Sequence, residues 1–267
     1  MNIKDSVDLI ESYLELERKP VGIKFFFDKN EFNNFEVPQK DRKVTYCNSV
    51  QLASKGHSMK LTKENQTCPN GARALNMAEV PESLANGELR FSKNLYCDVD
   101  VSKSISDELL FLKEEPAGIV VMPLEKFNQA PDVVVMVGSS YNIMRMIQGY
   151  SYFNGHTSNL RTVGIQAVCQ DLTTYPYNTQ DINISLFCPG TLLVANWQPG
   201  EIGVGIPFEK WNQVVEGVIE TTNPFERNKN KRSIAKRLEE RGLDASHIKL
   251  NENYDDGNYT GGKVEIE

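Results

Sequence analysis

Apolar positions recur along this chain with more than one period. In the opening segment Ile3, Val7, Ile10 and Leu14 stand three and four apart with charges between them, the stripe of an amphipathic helix that Lys19-Pro20 brings to an end. Further on come compact apolar runs of strand length, "PVGIKFFF", "AGIVVMPLEKF", "DVVVMVG" and "GEIGVGIPFEKW". The later ones lead into helical pattern: "SSYNIMRMIQGY" follows serines suited to capping, and Phe208, Trp211, Val214, Val215 and Val218 share one helix face. "VTYC" reads as a strand and "NSVQLASKG" as a short helix closed by Gly56, while "ARALNMAE" supplies helix formers behind Pro69, a residue that suits a first helical turn. The turn-rich "DKNEFNNFEVPQKDRK" is a surface connection. Alternating strands and helices predict an α/β fold, with mixed sheets and flanking helices.

The final segment changes character. "RNKNKRSIAKRLEERGL" is a basic helix candidate, and the polar, glycine-bearing "NENYDDGNYTGGKVEIE" is expected to be mobile. This divides the chain into an N-terminal helix (1–17), a core (18–222) and a C-terminal helix and tail (223–267). The core contains an internal echo. "PLEKF" (Pro123 to Phe127) resembles "PFEKW" (Pro207 to Trp211), each directly after an apolar strand, and "NGEL" at Asn86 resembles "PGEI" at Pro199. Cys47 precedes Cys68-Pro69 by 21 positions, and Cys169 precedes Cys188-Pro189 by 19. A duplication into pseudo-symmetric α/β halves, 18–127 and 128–222, would bring these four thiols together. The plain alternative is that strand, proline and amphipathic helix recur without any duplication.

Composition narrows the functions. A formal charge of −7 and a pI near 5.2 leave no broad electropositive surface for nucleic acid. The run from Lys229 to Arg241 is interrupted by Glu239 and Glu240 and reads as a solvated helix or a partner contact. The N-terminus lacks the apolar core of a signal peptide, and nowhere do the ~18 apolar residues of a membrane span run together. A cytoplasmic protein is expected. Five cysteines, an odd count, are poor material for a disulfide framework in such a compartment and leave packing, catalysis or metal binding.

Four thiolates complete a tetrahedral zinc site or a cubane iron-sulfur cluster. None of the pairs here has the short C-x2-C separation that identifies a zinc ribbon or a bacterial ferredoxin, and any single cysteine can be a small core residue. Cys68 and Cys188 each precede proline, which places the thiol at a helix start or tight turn, where free backbone N–H groups favour a thiolate. Glycines in "CPNGA" and "FCPGT" leave room for a bulky group. Cys97 has no counterpart in the echo and reads as packing.

At these residues the chain resembles an uncharacterised prokaryotic family, domain of unknown function family 169. The likeness runs from about "RKPVGIKFF" to about "IPFEKWNQVVEGV" through "TYCNSVQLASKG", "TCPNGARAL", "MPLEKFNQAPDVVVMVG", "IMRMIQGYSYFNG", "AVCQDLTTYPY" and "SLFCPG". The resemblance implies a soluble α/β protein of bacteria or archaea, many of them anaerobic, with cysteines at the positions of Cys47, Cys68, Cys169 and Cys188. Where the family commonly has two glycines after Cys-Pro, this chain has Asn70-Gly71. Anaerobic relatives and the four-thiol set together point to a [4Fe-4S] cluster on Cys47, Cys68, Cys169 and Cys188, with zinc as the alternative, in an electron-transfer or small-molecule redox role. A redox partner protein, a small-molecule substrate and a second copy of the chain are the partners left open. The competing reading is a non-redox zinc- or ligand-binding module, and whether the protein is an enzyme is not decided.

Other candidates rank below the thiols. His57, His156 and His247 are scattered, and those in "KGHS" and "NGHT" read as turn residues. Ser139 and Ser140 could hold an anion at a helix start but more simply cap it. Arg73 and Arg145 could face an anionic ligand or merely pair with carboxylates. Tyr46, Tyr150, Tyr175 and Tyr177 could line a pocket or belong to the core.

Overall fold

Why the echo exists is visible in the sheet. The computed structural model describes residues 1–38, 43–157 and 159–251. In it β1 (Val21–Phe26), β2 (Met59–Leu61), β3 (Gly118–Pro123), β4 (Val133–Gly138), β5 (Asn183–Ser185) and β6 (Ile202–Pro207) form one sheet in the order β2-β3-β1-β4-β6-β5. Every pairing is antiparallel. Exchanging β1 with β4, β2 with β5 and β3 with β6 reproduces this order, so a pseudo-twofold axis passes between β1 and β4.

The register follows the same exchange. Val21, the first residue of β1, faces Pro123, and Val133, the first residue of β4, faces Pro207. Met59 of one edge strand faces Val121, two before Pro123; Asn183 of the other faces Gly205, two before Pro207. At the centre Val21 faces Val135 and Ile23 faces Val133. Proline donates no backbone hydrogen bond, so Pro123 and Pro207 end their strands, and the next residue turns back equivalently in each half. Leu124 N donates to Pro20 O at 2.8 Å, and Phe208 N to Asp132 O at 3.0 Å. The "PLEKF" and "PFEKW" echo is therefore two copies of one strand exit.

Both faces of the sheet are covered, which is why its central strands read as unbroken apolar runs. Val21, Ile23, Val133, Val135 and Val137 pack against the cysteine-bearing segments. Val134, Met136, Val204 and Ile206 pack against the N-terminal helix (Ile3–Tyr13) and the helices Ser140–Asn154 and Phe208–Glu220. Trp211, fully buried there, donates its indole N–H to Ser6 Oγ at 2.7 Å. The basic helix (Asn228–Glu240) is amphipathic: Ile234 and Leu238 are buried, Arg237 Nε donates to Ser12 O at 2.7 Å, and Arg241 pairs with Asp8 and Glu11. It is packed onto the N-terminal helix rather than solvated all round. The expected mobile tail, from 252 onward, lies outside the described residues.

One local expectation is corrected, and two elements have no counterpart in the sequence pattern. "VTYC" is not a strand: Val44 makes one bridge to Gln66, and Thr45 caps a helix, Tyr46–Ser54, accepting from Asn48 N at 3.2 Å. The capping hydroxyl outweighs the β preference of Val, Thr and Tyr. The edge strands β2 and β5 carry no strand pattern of their own, since each is three residues long and is held by its neighbour's register.

Close approach of the cysteine layer to the sheet depends on Gly205 in β6. A Cβ there would stand 2.2 Å from the backbone oxygen of Leu172. Gly205→Ala is expected to cost about 1–3 kcal/mol through overpacking, read as a lower urea midpoint. An unchanged midpoint would show that the segment carrying Cys169 is not seated on β6.

Candidate thiol centre

Each half inserts two cysteine-bearing segments between its first strand and its third. Cys47 lies in the first turn of the helix Tyr46–Ser54, and Cys169 in a π-helix, Ala167–Thr174; both thiols are buried. Cys68 and Cys188 are half-buried and stand at the N-caps of two short helices, Pro69–Ala74 and Pro189–Leu193. Proline occupies the first position of each, as the Cys-Pro pairs predict. The expected capping bonds to sulfur are not made, because neither cysteine side chain accepts one.

Local backbone irregularities aim these residues. Gln166 enters the π-helix in the left-handed region with φ 55°, and Thr173 Oγ1 donates to Val168 O, five residues back, at 2.7 Å. That bond matches the wider π spacing, an arrangement that recurs at functional sites. Phe187, directly before Cys188, has φ 72° and is held by packing against Trp197, ring centroids 5.4 Å apart. A bulky residue keeps such a conformation only where its surroundings fix it.

The four cysteines picked out by the echo converge. Thr191 Oγ1 lies 3.1 Å from Cys188 Sγ and 3.7 Å from Cys47 Sγ, so one hydroxyl contacts thiols from opposite halves. Burial pushes the Cys47 thiol up to about 12, and the charges of Cys188 and Cys68 add to that rise. Cys169 is held well above the ordinary range, again by burial first and then by Cys47, Cys68 and Cys188. Charge on the neighbouring sulfurs therefore disfavours ionisation of Cys47 and Cys169, the electrostatic condition that bound cations relieve. The Tyr46 hydroxyl, bonded to Thr173 at 3.1 Å, lies within reach of the charges of Cys47 and Cys169. Cys97 is exposed and sits apart, its thiol 3.5 Å from the Asp98 carboxylate.

The spacing is wide. Among the described residues no three His, Cys, Asp or Glu side chains gather closely enough to hold one metal ion. Close approach to the Cys-Pro turns is kept open by glycine: a Cβ at Gly190 would lie 3.9 Å from Cys188 Sγ, and one at Gly71 3.8 Å from Cys68 Cβ.

Beside the thiols lies Asp171, buried and pushed up to about 7 by desolvation; Ser185 and Thr162 donate to it and offset part of the rise. On another side, Trp197 Nε1 donates to the Cys47 carbonyl at 3.3 Å, and the Arg18 guanidinium lies over its ring at 4.8 Å. Arg18, paired with Glu201, also lines a cleft of about 760 Å³ where β4 meets the helix Ser140–Asn154. This cleft is thus two side chains away from Cys47.

The remaining candidates divide. Arg145 pairs with Glu226 at 3.0 Å and donates to Val218 O, Thr221 and Thr222, which makes it structural. Arg73 meets no carboxylate among the described residues. Ser139 caps its helix, accepting from Asn142 N at 3.2 Å, and Ser140 begins it. His247 bonds the Tyr13 hydroxyl, and His57 and His156 lie away from the thiols. Tyr150 bonds Asp181, Tyr175 bonds Asn159 O, and Tyr177 packs edge-on against Phe25, so only Tyr46 of the four tyrosines belongs to the centre. Thr191, Trp197, Gln166 and Arg90 carry no motif; only Thr191, three positions after Cys188 at helical spacing, offered a signal.

The family model described as "Uncharacterised ArCR", the domain of unknown function family 169, matches residues 9–217. An uncharacterized protein of Methanocaldococcus jannaschii is 26% identical over 219 residues, covering 81% of this chain and 93% of its own length. No solved structure matches the chain.

Burial orders the thiols by reactivity. With a disulfide reagent under native, metal-free conditions, Cys97 is expected to react first, Cys68 and Cys188 more slowly, and Cys47 and Cys169 only on unfolding. Cys97→Ser should remove the fast phase. Equal, rapid reaction of all five thiols would contradict the buried placement.

Proposed function

Because the chain belongs to the uncharacterised family described as ArCR, domain of unknown function family 169, we propose for it a role that starts from its four gathered thiols. It is an iron-sulfur protein, with Cys47, Cys68, Cys169 and Cys188 holding a [4Fe-4S] cluster for electron transfer or redox chemistry on a small molecule. The observation that carries this reading is the approach of four thiols from both halves, with the Thr191 hydroxyl in contact with Cys47 and Cys188.

The donor set fits. One zinc ion with tetrahedral Zn–S bonds of about 2.3 Å draws its sulfurs to within ~3.8 Å of one another. Soft thiolates suit iron-sulfur ligation, and among the described residues no three His, Cys, Asp or Glu side chains gather as closely as a single ion needs, which favours the cluster over the single-ion alternative. When bound, the cluster supplies a one-electron couple. The chain's own residues set its surroundings: the buried Cys47 and Cys169 keep water from the sheet side, while Cys68 and Cys188 form the half-exposed side. Trp197 and Arg18 link Cys47 to the large cleft, a place for a small-molecule substrate. No helix among the described residues is long and apolar enough to cross a membrane, and the cytoplasm, which keeps thiols reduced, suits such a centre.

Protein purified without oxygen is expected to be brown, with iron and acid-labile sulfide in equal amounts. Serine in place of Cys47, Cys68, Cys169 or Cys188, one at a time, should remove most of the iron, and Cys97→Ser should leave it. Colourless protein with stoichiometric zinc would replace the cluster by the zinc reading. Equal loss of iron on changing Cys97 would mean a different ligand set.

A further inference from the structure

Two guanidinium groups stand beside the Cys68 turn, and neither pairs with a carboxylate among the described residues. Arg90 is 4% exposed and donates to Ser106 Oγ at 2.5 Å and to Gln166 Oε1 at 2.7 Å, both neutral partners. Gln166 lies three residues before Cys169, and its Nε2 reaches Asn70 O at 3.5 Å, which ties Arg90 to the turn Cys68-Pro69-Asn70. Arg73 is three positions beyond Asn70 on the same short helix and so shares its face. Its charge acts on Arg90, whose pKa is lowered first by burial. The Arg73 Nε is buried and finds no hydrogen-bond partner among the described residues. Gln66 adds to this unmet capacity. It lies two residues before Cys68 in extended backbone, which sends both side chains to one side, and neither of its amide atoms has a partner among the described residues.

Like charges held close together and away from water are unfavourable unless a counter-charge joins them. Arg145 shows what a merely structural arginine looks like in this protein, since it has Glu226 and four further acceptors. We propose that Arg73 and Arg90 form a subsite for a small oxyanion, a carboxylate or a tetrahedral group, next to the thiol centre. Two planar guanidinium forks suit such a group, which each can bind in bidentate fashion. Its role as the anchor of a redox substrate rests on the cluster reading, but its existence does not.

The probes are sodium sulfate and sodium acetate, each titrated calorimetrically against sodium chloride of equal ionic strength. Both the metal-free chain and the chain purified without oxygen are used. Saturable binding of at least one anion is expected in both, weakened at least tenfold by Arg73→Gln and partly restored by Arg73→Lys. The Arg73 side chain makes no internal hydrogen bond among the described residues, so these variants should keep the wild-type unfolding midpoint; Arg90→Gln, which loses two bonds, serves only as a second arm. A preference for sulfate identifies a tetrahedral ligand, and a preference for acetate a carboxylate. Neither anion binding beyond the chloride control, or Arg73→Gln binding as wild type does, would overturn the proposal. Anion binding by an iron-free, colourless sample would sink the cofactor and leave this subsite standing.

Discussion

The pairing of β1 with β4 is the constraint on which the rest of the molecule depends. These two strands lie antiparallel at the centre of the sheet, with Val21 opposite Val135 and Ile23 opposite Val133, so each half meets the other through the same residues of the same strand. A side chain alternates faces along a strand, and a slip of one residue would send every side chain to the opposite face. With this register both halves deliver their cysteine segments to one face, while the helices Ser140–Asn154 and Phe208–Glu220 of the second half cover the other together with the N-terminal helix. Cys47 and Cys188, far apart in the chain, reach one hydroxyl because this strand pair joins two runs of like strand order.

That arrangement has an electrostatic consequence. Burial raises the thiols of Cys47 and Cys169, and charge on the neighbouring cysteines raises them further. Thr191 contacts sulfurs of both halves, and glycine follows each Cys-Pro turn where a Cβ would lie against the cysteine. The strained Phe187 and the π-helix are local departures from regular backbone that hold Cys188 and Cys169 in place, and both are backed by packing against Trp197 and β6. Irregular backbone maintained by its surroundings is a common mark of a binding site.

Much of this was legible in the sequence, for physical reasons. Central strands covered on both faces must be apolar throughout, so β1, β3, β4 and β6 stood out. The repeated Pro-x-Glu-Lys-aromatic exit was legible because a proline that ends a strand and a following N–H that turns back need the same residues twice. The four cysteines were legible through that repeat. Other features were not. The three-residue edge strands owe their conformation to β3 and β6, and nothing in Met59–Leu61 or Asn183–Ser185 announces it. The strand reading of "VTYC" failed because one capping hydroxyl at Thr45 decides the backbone locally. The π-helix, Trp197 and the Arg90–Gln166–Asn70 connection arise from contacts between segments distant in sequence, and Arg73 differs from Arg145 only in what the fold brings near it.

X-ray absorption at the iron edge of protein prepared without oxygen tests the central claim most directly. The account predicts a shell of sulfur neighbours around iron together with short iron-iron distances, both lost when one of the four converging thiols is replaced. An all-sulfur shell around zinc without any metal-metal vector, or protein that holds no metal at the thiol centre, would contradict it.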